Sequence, residues 1–489
     1  MASISRRQGQ HLSKARRRRL RQRQVRKARA ARRQLHKLHD LLPGPARSLF
    51  LTFRPAFSAP TYYRFVLLLG AALLTVGNHT VLNLLRTLGP LVPGHPSSYH
   101  RLLCQRRWSS GRLARLLLTW VLRSLVPTGP VLVVGDDTVD EHRGKKVYGK
   151  GCHRDPVRST HTYTAFRWGH KWVVLAVLVR FPGTRRLWAL PVLVALYRSE
   201  GDNRRLGRRH KTPPQLLRQL LRLLRRWFPD RQFLCAADGN YATHDLARLA
   251  ARPHSQLTYI SHFYAKANLY APPPPPAVPG RKPCGRPPQK GKKLPAPFQV
   301  VAQAKRRQHL NVAWYGGGRR DVTVVTGTGL WYKSGEGLAP VRWVWVHDRT
   351  GSHRDEYFFT TEVHMKPATL IETYTGRWNI ETTFEEMRAY LGLETTRGWT
   401  EKTVLRAAPC LFGLYTVVAA LYARMPARYR RRGIDWPGKQ DVTFSDAITA
   451  VRRWLWQEWV FAIPGHNQAF SKLSRPFRNM LLAALAPAA

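Results

Sequence analysis

Two short apolar segments, about one hundred residues apart, each end in aspartate, and this arrangement strongly limits how the chain can fold. Residues 130–135 read Pro-Val-Leu-Val-Val-Gly and are followed by Asp136 and Asp137, while residues 232–237 read Gln-Phe-Leu-Cys-Ala-Ala and are followed by Asp238. Short apolar runs of this kind predict buried strands. Acidic residues are scarce in this chain, so carboxylates at the ends of two buried strands indicate a shared site.

The segments around these two strands predict an α/β fold. Apolar strand patterns alternate with two amphipathic helices in the order β-β-β-α-β-α-β; the strands cover residues 130–139, 171–180, 187–196, 232–238 and 256–262, and the helices cover 213–227 and 244–251. This is the order of an RNase H-like fold, in which the first and fourth strands are adjacent. Asp137 and Asp238 are therefore expected to lie together. Asp136 is an alternative to Asp137, because neighbouring strand residues point to opposite faces.

A third candidate carboxylate, Glu381, lies in a segment that predicts one helix over residues 374–388. Four residues whose side chains could bind a metal ion or a phosphate fall within an arc of about 60° on that helix: Tyr374, Arg377, Glu381 and Arg388. A second, apolar stripe beside them predicts packing into a core: Ile380, Phe384, Met387 and Leu391. Glu385 lies about 40° from Glu381 and is the alternative carboxylate.

Charge points to a polyanionic partner. The 489 residues carry 82 Lys and Arg against 27 Asp and Glu, a formal net charge of +55, and 44% of the residues are hydrophobic. Such a basic globular chain is typical of nucleic-acid binding. The five cysteines form no C-x-x-C pair, which argues against a zinc ribbon and a disulfide framework and favours reduced thiols in the cytoplasm. No secretory signal pattern is present, and the apolar run 65–77 is too short to span a bilayer.

Composition shifts divide the chain into six regions. We predict a basic disordered arm (1–44), a helical DNA-binding domain of helix-turn-helix type (45–128), the first part of the RNase H-like core (129–264), a Pro-rich linker with a β-rich insertion (265–365), the core segment with the glutamate helix (366–425) and a helical C-terminal region (426–489). A structural helical lid is the alternative for 45–128. The insertion is expected to hold strands at 298–302, 312–315, 320–326, 341–347 and 356–361.

Three carboxylates of this kind fit metal-dependent cleavage of a phosphodiester. Two Mg²⁺ or Mn²⁺ ions about 4 Å apart can activate water and stabilise the leaving oxygen, and oxygen ligands suit them. The basic segment 141–172 contains Cys152, His153 and His161, but their spacing matches no common zinc pattern. We expect that segment to be a loop that contacts DNA or solvent.

The motif Tyr374-x2-Arg377-x3-Glu381-x6-Arg388 resembles the Tyr-Arg-Glu-Lys motif of a large group of bacterial insertion-sequence DDE transposases. Asp137-Thr and Asp238-Gly-Asn-Tyr resemble that group's other acidic motifs, and its members carry a β-rich insertion before the glutamate. Arg388 departs from the motif, which has Lys. The resemblance covers about residues 60–425.

The resemblance implies an enzyme that cleaves transposon ends and joins them to target DNA. Asp137, Asp238 and Glu381 would bind Mg²⁺, and three residues would contact phosphates: Tyr374, Arg377 and Arg388. Trp331 and Trp343 are candidates for holding a flipped base, although core packing is the favoured interpretation. We expect a homodimer on DNA in the bacterial nucleoid. The rival hypotheses are an RNase H-fold endonuclease without strand transfer and an inactive DNA-binding derivative.

Overall fold

The computed structural model describes residues 38–487 apart from 156–158, 161, 275–288 and 432–437, together with scattered positions between 19 and 36. Most of the predicted basic arm and of the Pro-rich linker lies outside the described residues, as does His161. The described chain is a mixed α/β structure built on one large, mostly antiparallel sheet.

Eleven strands form this sheet within the described residues: β1 (Val131–Glu141), β2 (Gly151–Arg154), β3 (Phe166–Val179), β4 (Trp188–Tyr197), β5 (Phe233–Ala237), β6 (Leu257–His262), β7 (Leu269–Tyr270), β8 (Gln308–Ala313), β9 (Arg319–Lys333), β10 (Gly337–Asp348) and β11 (Glu356–Thr360). Strands β4, β3, β1, β5 and β6 lie side by side in that order. Strand β5 is parallel to both β1 and β6, and the pairings of β3 are antiparallel. The predicted adjacency of the two aspartate-bearing strands is therefore observed.

The strands after β6 continue the same sheet. Strand β11 pairs with β6, β10 with β11, and β9 with β10, while β7 and β8 both pair with β9. One strand prediction here is wrong, because residues 298–302 lie in a helix, Pro297–Gln303. Proline is favoured at the first position of a helix, and the Gln299 side chain accepts a hydrogen bond from the Ala296 N–H at 2.9 Å, which caps the helix start.

The predicted loop 141–172 is also only partly a loop. Strand β1 extends to Glu141, β2 occupies Gly151–Arg154, and β3 already begins at Phe166. Glu141 at the end of β1 pairs with Gly169 of β3, and the residues of β2 pair with Phe166–Gly169 at the start of β3. This extra pairing brings polar residues of β1 and β3 into contact.

Helices cover both faces of the sheet and both ends of the chain. They are α1 (Gly44–Thr52), α2 (Ala59–Leu74), α3 (Val81–Leu88), α4 (Ser97–Cys104), α5 (Ser110–Ser124), α6 (Glu200–Arg205), α7 (Pro213–Trp227), α8 (His244–Ala250), α9 (Pro297–Gln303), α10 (Pro367–Gly376), α11 (Asn379–Tyr390), α12 (Glu401–Arg424), α13 (Ala427–Arg431), α14 (Phe444–Leu455), α15 (His466–Lys472) and α16 (Arg475–Leu485). By length and composition, α12 alone among the described helices could cross a membrane, yet 72% of its apolar window is buried inside the structure. It packs on β4 and α14 as a core helix.

Two buried arginines join the N-terminal helices to the C-terminal half. Arg406 of α12 donates to the carbonyl oxygens of Leu103 and Trp108, both at 2.9 Å. Arg452 of α14 donates to Leu73 at 3.0 Å, to Thr75 at 2.8 Å and to Tyr390 at 3.1 Å. Carbonyl groups at helix ends lack intrahelical partners, so these guanidinium groups satisfy them and fix α2 and α11 against the same core.

Candidate active site

The middle of β1 directs two adjacent carboxylates, Asp136 and Asp137, to opposite faces of the sheet. Gly135 pairs with Ala237 of β5, and Asp136 and Asp238 each follow one residue later. Paired residues on neighbouring strands share a face, so Asp136 lies on the side of Asp238. Asp137 points to the other face. The sequence placed Asp137 beside Asp238 and left Asp136 as the alternative; the structure places Asp136 in that position.

Arg377 brings three carboxylates together. Its Nη1 lies 2.8 Å from Asp136 Oδ2 and 3.0 Å from Glu381 Oε1, and its Nη2 lies 3.8 Å from Asp238 Oδ1. The three acids come from a strand, a strand end and a helix, separated by up to 245 positions in the chain. Glu381 keeps 43% of its side chain exposed and Asp238 keeps 34%, whereas Arg377 keeps 8%. The cluster therefore opens to solvent on the carboxylate side.

The surroundings of Asp136 disfavour its charged form. Burial, followed by the neighbouring charges of Asp137 and Asp238, raises the pKa of Asp136 to about 7, although Arg377 opposes the shift. Burial alone would lower the pKa of Arg377, but Asp136, Asp238 and Glu381 outweigh it and raise that pKa. A single guanidinium thus leaves the cluster with an excess of negative charge that a further cation would reduce.

Asp137 has a separate set of partners on the opposite face. Lys171 Nζ lies 2.8 Å from Asp137 Oδ1, and the Tyr241 hydroxyl donates to Asp137 Oδ2 at 2.7 Å. Sequence reasoning missed both partners. Lys171 could have been noticed as the single charged residue at the start of an otherwise apolar strand pattern, and Tyr241 stands three residues after Asp238.

The helix that carries Glu381 is not continuous with Tyr374, so the prediction of one helix over 374–388 is wrong. Helix α10 ends at Gly376 and α11 begins at Asn379. The Asn379 side-chain amide donates to the Gly376 carbonyl at 2.8 Å. Such a bond offers the backbone an alternative to the hydrogen bonds of a continuous helix. At the break, the Arg377 side chain reaches Asp136 of β1 and Asp238, which follows β5.

Two of the motif residues, Tyr374 and Arg377, are buried. Tyr374 is 1% exposed and stacks on Phe358 with 4.2 Å between ring centroids. Arg377 is buried beside it, with its guanidinium carbon 5.7 Å from the Tyr374 ring centroid. The buried Arg377 guanidinium is instead held by the carboxylates of Asp136, Asp238 and Glu381.

Arg388 lies farther along α11 and binds β1. Its guanidinium donates to the Thr138 hydroxyl and to the Val139 carbonyl oxygen, and its Nε lies 3.3 Å from Glu394. Glu385, the alternative to Glu381, is exposed and lies away from Arg377's contacts.

Trp331 and Trp343, the candidate base-holding residues, are both buried, in agreement with core packing. Trp331 packs against Phe263 and Phe359, and Trp343 packs over Gly327. Neither ring is available in this structure to stack on a nucleotide.

The family model described as "DDE superfamily endonuclease" matches residues 52–321, just over half of the chain. The protein belongs to this family of DDE superfamily endonucleases. The matched segment contains Asp136, Asp137 and Asp238, and it ends before Glu381. For this DDE protein the choice of Glu381 as the third acid therefore depends on the structure, in which Arg377 contacts Glu381 as well as the two aspartates.

No curated protein matches the chain. Among solved structures, the DDE protein shows a likeness to a cryo-EM structure of the piggyBac transposase synaptic complex with hairpin DNA. The identity is 8%, the match covers 92% of this chain and 83% of that one, and the TM-score is 0.38. A likeness this distant carries no argument about the site.

Proposed function

We propose that the protein is a DDE transposase, which cleaves phosphodiester bonds at transposon ends and joins the freed 3′-OH to target DNA. The observation that carries the proposal is the convergence of Asp136, Asp238 and Glu381 on Arg377. Family membership supports a nuclease. We interpret strands β4-β3-β1-β5-β6 as an RNase H-like core and β7–β11 as the β-rich insertion added to its edge.

The donor set fits divalent ions of the magnesium type. All three side chains offer oxygen ligands, which Mg²⁺ and Mn²⁺ prefer, and one guanidinium, that of Arg377, is shared among three carboxylates. We assign the ligands to Asp136, Asp238 and Glu381, with Asp137 as the alternative ligand from β1. Two bound ions would supply activation of water and stabilisation of the leaving 3′-oxygen.

The chain's own groups position this chemistry. Arg377 holds the three carboxylates at fixed separations, and Tyr374 packs behind its guanidinium. On the opposite face, Asp137 is held by Lys171 of β3 and by Tyr241, which links β1 to the segment after β5. The net charge of +55 provides the attraction for DNA, and Arg388 is the motif residue we propose to reach a phosphate, since 30% of its side chain is exposed.

The test begins with the DNA that flanks the gene. Short inverted repeats there would be used as labelled duplex ends, incubated with the full-length protein, a target plasmid and Mg²⁺. We expect nicking at the repeat end followed by joined products. Nicking without joining would identify an endonuclease that lacks strand transfer, and end binding without nicking would identify an inactive DNA-binding derivative.

Variants then decide which of the two adjacent acids in β1 belongs to the site. Asp136→Asn and Asp137→Asn differ by one position but lie on opposite faces. If Asp137→Asn abolishes cleavage while Asp136→Asn cleaves normally, the ligand assignment passes to Asp137 and the role given to Arg377 is lost.

A further inference from the structure

A second polar cluster lies on β1 and β3, beyond the proposed nuclease site. Asp140 lies one residue before the end of β1, His142 directly follows the strand, and His170 of β3 is the direct antiparallel partner of Asp140. All three side chains are buried, with 0%, 7% and 1% exposure respectively. One ligand atom from each lies within 4.8 Å of the other two.

The hydrogen bonds of His170 leave one ring nitrogen aimed into the cluster. Its Nε2 lies 2.9 Å from the backbone carbonyl oxygen of Tyr148. A carbonyl oxygen only accepts, so Nε2 carries the hydrogen and donates. Nδ1 has no hydrogen-bond partner among the described residues, although it is buried. A histidine ligand typically donates its other ring N–H to a carbonyl or carboxylate in this way.

Asp140 is oriented by donors that leave oxygen lone pairs free. Its Oδ1 accepts from the His170 backbone N–H at 3.0 Å, and its Oδ2 accepts from the Trp172 indole N–H at 3.3 Å. Oδ1 faces His170 Nδ1 at 3.4 Å, and Oδ2 faces His142 Nε2 at 3.4 Å. Two ligand atoms that are each bound at about 2.1 Å to a tetrahedral ion lie about 3.4 Å apart.

We propose that Asp140, His142 and His170 form a binding site for a transition-metal ion of the Zn²⁺ type. Two imidazoles with one carboxylate suit zinc and its neighbours rather than magnesium. His142 lines an open pocket whose wall also includes Tyr148 and Trp168, which gives the ion a path from solvent. The site would hold the long β1–β3 pairing together at the end that lies beyond the proposed nuclease cluster.

The sequence analysis considered other residues for zinc, namely Cys152, His153 and His161, and found that their spacing matches no common zinc pattern. Cys152 and His153 lie in β2, and neither belongs to the cluster. The zinc proposal does not depend on the proposed transposase activity, since it uses none of the residues that surround Arg377.

The first test measures zinc binding by the untagged, full-length protein. After removal of metals with a chelator, ZnCl₂ is titrated calorimetrically in a buffer without phosphate or magnesium. We expect one tight site per chain, and because loss of outer-shell partners already costs about 10- to 100-fold in affinity, loss of a ligand in His142→Gln or His170→Gln should cost at least about 100-fold. His79→Gln is the matched control, because His79 is buried but bonds the carbonyls of Ala72 and Gly77 instead.

A second comparison separates this site from the nuclease cluster. Glu381→Ala should bind zinc as the parent does, because Glu381 belongs to the cluster around Arg377. Unchanged zinc affinity in both His142→Gln and His170→Gln, or a loss caused by Glu381→Ala alone, would overturn the proposal.

X-ray absorption at the zinc edge of the wild-type complex gives an answer that needs no variant. Imidazole scattering from two histidines, with one or more oxygen ligands, is expected. A wild-type protein that retains no zinc after gel filtration, or a zinc shell without imidazole, would show that Asp140 and the two histidines are an ordinary buried polar cluster.

Discussion

Arg377 Nη1 lies 2.8 Å from Asp136 Oδ2, and this contact joins the break before the glutamate helix to the middle of the first strand. The same nitrogen lies 3.0 Å from Glu381. One buried guanidinium therefore holds together acids that come from distant parts of the chain. Its removal should first of all lower the free energy of unfolding.

We expect Arg377→Ala to lower the free energy of unfolding by about 3–5 kcal/mol, the usual cost of removing one partner from a buried charge cluster. Thermal denaturation with and without Mg²⁺ measures it. Part of the lost Tm should return with Mg²⁺ in the variant, because the ion replaces the missing positive charge. Arg424→Ala, a change in a more exposed arginine at the end of α12, serves as the control. A parental Tm for Arg377→Ala would show that the acids do not need this partner.

Cleavage should depend on Glu381 and not on Glu385. Glu381 contacts Arg377, whereas Glu385 is exposed on the same helix. Glu381→Gln should abolish nicking of end DNA while end binding in a gel-shift assay stays near parental, because ligands act in chemistry and phosphate contacts act in affinity. Glu385→Gln is the matched control and should nick normally; the reverse pattern would move the ligand to Glu385.

The raised pKa of Asp136 predicts a pH-dependent stability in the absence of metal. The folded-state pKa is about 7 and the ordinary value is 3.8, so between these values the folded state binds more protons than the unfolded state. Stability contributed by this group is complete below about pH 3.8 and is lost as the pH rises to about 7. Relative to the parent, Asp136→Asn should thus gain stability over that window and stay level above it.

Denaturant titrations from pH 4 to pH 8 measure this difference, with Asp441→Asn as an exposed control. A stability difference between parent and Asp136→Asn that is constant with pH would contradict the raised pKa.

Packing between the N-terminal helices and the C-terminal half gives a further prediction. A Cβ atom at Gly70 of α2 would collide with the ring of Trp459, which is 1% exposed. Overpacking of this kind typically costs about 1–3 kcal/mol, so Gly70→Ala should lower the Tm of the whole protein. Gly44→Ala has no neighbouring atom within 4 Å and should have little effect. An unchanged Tm for Gly70→Ala would mean that the Trp459 ring can shift to make room for the methyl group at little cost in free energy.

DNA affinity should fall steeply with salt, because many phosphates are neutralised and counterions are released. Deletion of residues 1–40, which are rich in arginine, should flatten the plot of log affinity against log salt while end specificity remains. Fluorescence anisotropy with end and random duplexes measures both. Loss of specificity with an unchanged slope would assign sequence recognition to the arm.

The sequence by itself predicted the order of the core elements and three acidic candidates, Asp137, Asp238 and Glu381, with Asp136 as an alternative to Asp137. Apolar runs that end in aspartate at 136–137 and 238 predict neighbouring strand ends, and the stripe of Ile380, Phe384 and Met387 predicts a packed helix beside Glu381. These are local signals, since side-chain periodicity and the hydrophobic effect act over a few residues. The sequence analysis missed the helix at 297–303, because the signal for that helix is a cap at its start and not a hydrophobic periodicity.

Only the tertiary structure decided how these positions meet. Whether Asp136 or Asp137 faces Glu381 depends on the register between β1 and β5. The burial of Arg377 depends on the break between two helices, which lets its guanidinium contact Asp136 of β1. The cluster of Asp140, His142 and His170 exists because β1 and β3 pair in one register. A shift of one residue in that register would turn His170 to the opposite face from Asp140, because side chains alternate along a strand.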